Sequence, residues 1–340
     1  MKLAVFAFTR QGCRTAREAA RALNPQQCRR FAPEKFGQTD FEAYAPPLAD
    51  FMAPVFSWAD AILFVGSTGM ALRAIAPWVR DKKTDPAVLV VDEGAHFVIP
   101  LLSGHIGGAN ALAARLAEAL GAAAAVTTAT DVNGRFSVDA WAAARGLHID
   151  DMKAAKAVSA AILEGPVPLC SDFPVVGELP PGVTAGEAGP VGICVSCWRK
   201  RPFAATLLLV PRAVRLGIGC RRGTPAADIR ALVDETLAAH QIHPAAVKAV
   251  GSIDLKQDEP GLLAYCREQG WPVEFYTASR LEAVEGEFTP SDFVRRTTGV
   301  DNVCERAAAL GGGELVIRKT SGHGVTVAAA VEEYEVRFDG

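Results

Sequence analysis

No apolar run in this 340-residue sequence approaches the ~20 residues of a membrane-spanning helix, so no membrane partner is expected. The N-terminus, Met1-Lys2-Leu3-Ala4-Val5-Phe6-Ala7-Phe8-Thr9-Arg10, holds too short an apolar stretch for a secretory signal, and no small-residue cleavage site follows it. Basic charge is not in surplus. The 35 Lys and Arg against 38 Asp and Glu leave a net charge of −3, whereas a nucleic-acid binder would carry a basic face. The eight cysteines are scattered, and only Cys194 and Cys197 are spaced as C-x-x-C. Their segment, Val191–Cys197, alternates as a strand does, which points residues three apart to opposite faces. Without a second pair there is no zinc set, so no protein-bound metal is expected. The thiols read as reduced and structural, in a cytoplasmic protein.

Nucleotide fingerprints are missing too. Gly66-Ser67-Thr68-Gly69-Met70-Ala71 lacks the Lys of a P-loop and the spacing of G-x-G-x-x-G, and Gly217–Gly223 is one residue off in its last glycine. No G-x-S-x-G elbow exists to expose a nucleophilic serine, and His96 and His105 lack a standard metal-ligand spacing.

Half of the residues are hydrophobic, enough for a sizeable core. Strand-like and helix-like segments alternate, which predicts an α/β layer fold. In the first third, strands are expected at Leu3–Phe8, Ala61–Val65, Ala87–Val91, His96–Leu102 and Ala123–Thr127. Helices are expected at Arg14–Leu23, after Gly69, and at Gly107–Leu120, with loops and short helices over Asn24–Pro54. The alternation restarts at Val214–Gly219. Thr224 there should cap a helix whose first residue is Pro225. We therefore expect two three-layer-type α/β domains, 1–131 and 212–340, joined by a smaller middle region, 132–211, that carries no chemistry of its own.

The densest chemical stretch is Val90–Asn110, with two acids (Asp92, Glu93), two histidines (His96, His105) and four glycines in twenty-one residues. Acids and imidazoles beside a buried apolar run are what general acid–base chemistry requires. The competing reading is a tight turn, a core strand and a capped helix. If Ala87–Val91 and His96–Leu102 form a hairpin, Glu93 and His105 fall at opposite sheet edges, about 23 Å apart along seven residues, unless Pro100 bends the strand. Glycine-rich turns at strand ends (Thr9–Gly12, Gly66–Gly69, Gly217–Gly223, Thr298-Gly299) offer N–H groups and helix dipoles to anions. Each is also an ordinary strand-to-helix connection. Arg221, Arg222, Lys256, Arg318 and Lys319 lie at expected strand ends or turns, where open α/β sheets bind ligands. His148, His240 and His243 read as surface or helix-end residues.

Taken in order, Gly66–Arg73, Val91–Asn110, Thr127–Asp131, Gly217–Thr224, Ser252–Lys256 and Ser321–Gly324 resemble the cobalt-precorrin-5A hydrolase family of anaerobic cobalamin biosynthesis. The resemblance covers essentially the whole chain. Its C-terminal part also resembles a smaller stand-alone protein of aerobic cobalamin synthesis. The resemblance implies an enzyme that opens the lactone of a ring-contracted cobalt tetrapyrrole and releases acetaldehyde, giving cobalt-precorrin-5B. The cobalt belongs to the substrate, so no separate cofactor is implied. The expected protein partners are other enzymes of the pathway. The resemblance assigns no roles; the chemistry needs a base and a proton carrier, and among the acids and histidines of Val90–Asn110 we expect Glu93 as the base for water, His96 as a proton shuttle and His105 as a further catalytic candidate. Gly66, Ser67, Thr68, Gly69, Ser103, Gly104, Gly219, Arg221, Lys256, Ser321 and His323 are expected to contact substrate. The alternative is a non-catalytic tetrapyrrole carrier or pathway chaperone, which would need the anion cradles but no activated acid–base pair.

Overall fold

Three strands that are apolar at every position, Leu3–Ala7 within β1 (Lys2–Ala7), β4 (Ala61–Val65) and β5 (Ala87–Val91), are buried on both faces. Such runs belong in the middle of a parallel sheet covered by helices on either side. The computed structural model describes residues 1–36, 40–44, 47–81, 84–128 and 132–338. It divides into two compact units, Met1–Ala144 and Arg145–Gly340.

In the first unit, β1, β2 (Gln27–Ala32), β3 (Glu42–Ala43), β4, β5, β6 (Phe97–Leu102) and β7 (Ala123–Ala124) lie in the sheet order β3-β2-β1-β4-β5-β6-β7. The strands from β3 to β5 run parallel, and β6 turns back against β5. Helices are α1 (Arg10–Leu23), α2 (Leu48–Trp58), α3 (Thr68–Ile75), α4 (Ala109–Leu120) and α5 (Val138–Ala144). Alternation splits the core in two. Leu3, Val5 and Ala7 pack with Cys13, Ala16, Ala113 and Leu116 of α1 and α4. Ala4 and Phe6 pack with Met52, Val55, Ala71 and Ile75 of α2 and α3.

Several expectations need correction. α1 begins at Arg10, because Thr9 caps it by accepting from the Gly12 N–H at 2.9 Å; Gly12 is inside the first turn. The stretch read as loops holds β2, which periodicity missed because it lies toward the sheet edge and carries Cys28, Arg29 and Arg30 on partly exposed positions. The expected strand Ala123–Thr127 is only the two residues of β7, and residues 129–131 lie outside the described residues. Pro100 does sit within β6, and the register slips so that Val88 faces Leu102 while Leu89 faces Pro100. The bulge accommodates a residue that cannot donate to the ladder.

The second unit holds two five-stranded sheets. In chain order come β8 (His148–Ile149), α6 (Met152–Glu164), β9 (Val167–Ser171), β10 (Val175–Val176), β11 (Val183–Ala185), β12 (Val191–Val195), β13 (Ala205–Val210), β14 (Val214–Cys220), α7 (Ala226–Ala239), β15 (Val247–Ile253), α8 (Pro260–Gln269), β16 (Val273–Tyr276), α9 (Ala278–Glu282), α10 (Asp292–Thr298), α11 (Cys304–Ala309), β17 (Glu314–Gly322), β18 (Val325–Val331) and β19 (Val336–Arg337). The first sheet, β11-β9-β12-β13-β8, is parallel except at β8. The second runs β16-β15-β14-β18-β17, with β18 antiparallel to both neighbours. Gly217 is what allows α11 to lie on this sheet: a Cβ there would sit 1.8 Å from the Cys304 carbonyl oxygen. Thr224 is not the helix cap. Pro225 takes that position without a side-chain bond, and the Thr224 hydroxyl donates to the Arg221 carbonyl at 2.8 Å. Among the described residues no helix is long and apolar enough to cross a membrane.

Candidate active site

The chain leaves β1 toward β2 and β3 on one side and returns to β4 on the other, which makes the β1–β4 boundary the topological switch point of the first sheet. Ligands of open α/β sheets bind outside the strand C-termini at such a point, because the connections diverge there and leave a crevice. Three predicted segments meet at this edge: Thr9–Gly12 after β1, Gly66–Gly69 after β4, and Asp92–His96 after β5. The Gly66 N–H donates to the Val91 carbonyl at 2.8 Å, which joins the second to the third. Ser67 stands at the N-cap of α3 and makes no side-chain cap bond. The first-turn amides of such a helix have no intrahelical acceptor.

The β5–β6 hairpin forms, and Asp92 organises its tip. The Asp92 carboxylate accepts from the Phe97 N–H at 2.7 Å, from the Gly94 N–H at 3.1 Å and from His96 Nδ1 at 2.9 Å. Partial burial works against its charge, but the hydrogen bonds from Phe97, His96 and Gly94 prevail and hold the carboxyl below its ordinary range. Ala95 takes a left-handed conformation (φ 55°) to close the turn. A Cβ at Gly94 would lie 2.3 Å from His96 Cε1, so a larger residue there would push the His96 ring away from Asp92. His96 is exposed, its ring turned by Asp92. Glu93 is half-buried and is anchored through its backbone: its carbonyl accepts from Thr15 Oγ1 at 2.7 Å and from Gln11 Nε2 at 3.5 Å. Among the described residues no hydrogen bond or ion pair engages the Glu93 carboxylate. Sequence reasoning missed Asp92 as the residue that orients His96. The signal was its position four residues earlier across a turn.

At the same edge a cavity of about 1210 Å³ is lined by Phe8, Tyr44, Leu48, Met70, Lys35 and Arg73, among others. Aromatic and aliphatic walls, with Lys35 and Arg73 outnumbering the one acid, Glu34, suit a large, flat ligand that carries carboxylates. None of these six was expected to contact substrate, although Met70 and Arg73 lie in the Gly66–Arg73 block, because they come from four separated segments.

Ser103, Gly104 and His105 lie at the opposite edge, past the end of β6. The buried Ser103 hydroxyl donates to the Asp85 carbonyl at 3.0 Å, just before β5 begins. His105 Nδ1 stands 3.2 Å from Asp139 Oδ1, which also accepts from the Ser137 hydroxyl and the Ala140 N–H. His105 and Asn110 border a smaller cavity of about 430 Å³. Glu93 and His105 thus occupy the two ends of the hairpin.

In the second unit, Arg221, Lys256, Ser321 and His323 all fall at the C-terminal edge of β14 and β15, since Cys220 pairs with Val325 and brings the β17–β18 turn there. Gly219 lies within β14, where a Cβ would meet Thr326 Oγ1 at 2.7 Å. Lys256 Nζ pairs with Glu259 at 3.2 Å, and Glu259 accepts from the Gly223 N–H at 2.6 Å. The two Ser-Gly-His triplets differ in form: Ser103 is left-handed (φ 57°) ahead of α4, whereas His323 and Gly324 make a two-residue hairpin turn with both φ positive.

Residues 50–131 match the family described as Cobalamin synthesis G N-terminal, and residues 214–330 match Cobalamin synthesis G C-terminus. A cobalt-precorrin-5A hydrolase from Salmonella typhimurium is 37% identical over 345 residues, 97% of this chain and 97% of that protein. One from Priestia megaterium is 34% identical over 366 residues, covering 98% and 95%. Protein CobE from Sinorhizobium sp is 36% identical over 119 residues, 34% of this chain and 77% of that protein.

Proposed function

This chain belongs to the cobalt-precorrin-5A hydrolase family, and from that premise we propose that it opens the substrate's lactone at the C-terminal edge of the first unit's sheet, with Glu93 as the base. Water attacks the lactone carbonyl as Glu93 takes its proton. The acyl–oxygen bond then breaks, and the released alkoxide takes a proton by way of His96, whose ring Asp92 holds. Removal of that hydroxyl proton drives the second step: a C=O bond forms, the adjacent carbon–carbon bond breaks, and acetaldehyde leaves with the electron pair remaining on the macrocycle. Amides at the start of α3, Ser67 to Gly69, are the donors for the developing oxyanion.

One observation carries this reading: a carboxylate with no other engagement (Glu93) and an imidazole oriented by a carboxylate (His96–Asp92, 2.9 Å) share the turn after β5, at the same sheet edge as the N-terminus of α3 and the large cavity. Arg73 and Lys35 are the counter-charges for substrate carboxylates there. Within the second unit, Arg221, Lys256, Ser321 and His323 form a separate set of candidate contacts for a corrinoid. Cobalt enters and leaves with the substrate. Eight free thiols fit a reducing compartment, the cytoplasm. Single-turnover formation of acetaldehyde from cobalt-precorrin-5A by the Glu93→Gln and His96→Asn variants tests the assignment. Both should be slow, and a wild-type rate in Glu93→Gln removes that residue from the mechanism.

A further inference from the structure

The second unit brings together three side chains from segments 93 residues apart. His148 and Asp150 are two positions apart at the β8 edge, so they share a face. His243 follows α7, where its N–H donates to the Cys197 carbonyl at 2.8 Å and so ties this turn to the end of β12. His243 Nε2 lies 3.1 Å from Asp150 Oδ1, and the two imidazole centroids are 5.2 Å apart. One ligand atom from each of the three residues falls within 4.8 Å of the others. Beside them is a cavity of about 300 Å³ lined by Asp150, His243, Leu208, Arg199 and Arg201.

We propose that His148, Asp150 and His243 form a three-ligand site for a divalent ion that favours imidazole, Zn²⁺ or Co²⁺, with Arg199 in the adjoining cavity placed to hold an anionic fourth ligand and Arg201 giving up its 3.7 Å pair with Asp150 as the ion binds. Two neutral imidazoles and one carboxylate are a donor set such ions prefer. Ligands about 2.0–2.2 Å from an ion lie a little over 3 Å from one another, so the His243–Asp150 spacing already fits. Rotation of the exposed His148 side chain supplies the remaining contraction. The ion would pin the β8 edge of one sheet to the turn that leads into β15 of the other.

The local hydrogen bonds also set how tightly it binds. The Ala245 N–H donates to His243 Nδ1 at 3.1 Å, which leaves the ring proton on Nε2, facing Asp150. Metal at Nε2 moves that proton to Nδ1 and breaks the Ala245 bond, so affinity falls short of a preformed site.

The test is titration of the metal-free full-length chain with Co²⁺, read by visible absorption, together with a thermal melt in Zn²⁺. One equivalent should saturate, with a spectrum of nitrogen and oxygen ligands and no thiolate charge-transfer band. His148→Ala and Asp150→Asn, both at exposed positions, should each weaken binding at least tenfold and abolish the Zn²⁺-induced rise in Tm. His96→Asn should bind normally. No saturable equivalent, a thiolate spectrum, or undiminished binding by His148→Ala would each show that the three residues form only a hydrogen-bonded cluster.

Discussion

Replacing Glu93 by Gln tests the chemistry, and the structure separates the expected loss from any folding defect. What holds residue 93 is its backbone carbonyl, bonded to Thr15 and Gln11, and Gln keeps both bonds. The carboxylate engages nothing among the described residues, so stability should change by no more than about 0.5 kcal/mol. Removing a general base costs about 10²- to 10⁴-fold in rate. At about 1.36 kcal/mol per decade this is about 2.7–5.4 kcal/mol of barrier, several times the allowed change in stability. The two quantities can therefore be read apart. Acetaldehyde formation is followed in a single turnover with substrate saturating, and unfolding by urea is followed on the same preparation. A slow, fully folded variant that still binds a corrinoid supports the base. A wild-type rate refutes it, and a loss of stability in urea that accounts for the lost activity reduces residue 93 to a turn residue.

Asp92→Ala should destabilise the first unit by about 1 kcal/mol, discounted because the carboxylate is partly exposed, and should also slow turnover by releasing His96. Because its pKa is lowered on folding, Asp92 contributes stability above its ordinary value of 3.8, and that contribution is lost as pH falls through the lower folded value; Asp92→Asn should flatten the acid limb of an unfolding titration. Arg73→Ala should raise KM about tenfold with kcat unchanged, because it removes binding common to the ground and transition states. Arg221→Ala with Lys256→Ala should weaken corrinoid affinity and reduce its salt dependence, measured by titration at two ionic strengths. Gly217→Ala forces α11 off the sheet and should cost about 3 kcal/mol or more in urea unfolding, since its Cβ would overlap backbone rather than a movable side chain.

Local information in the chain was sufficient to place the strands that are apolar at every position, such as Ala61–Val65 and Ala87–Val91, because complete burial leaves an unbroken apolar run. It also located the acid- and histidine-rich hairpin and the glycine turns, whose chemistry is written in adjacent residues, and the family resemblance followed from those blocks. Strand β2 was not legible, since a partly exposed strand carries mixed residues; the strand at Val191–Val195 was, but its place between β9 and β13 in one sheet was not, because pairing is set by neighbours. Tertiary structure alone decided which residues share an edge. Antiparallel pairing of β6 with β5 sends Glu93 and His105 to opposite ends. Parallel pairing of β1, β4 and β5 gathers Thr9, Ser67 and Glu93 at one. Partners such as Asp139 for His105 and Asp150 for His243, 34 and 93 residues away, are set by chain crossings that local propensity does not encode.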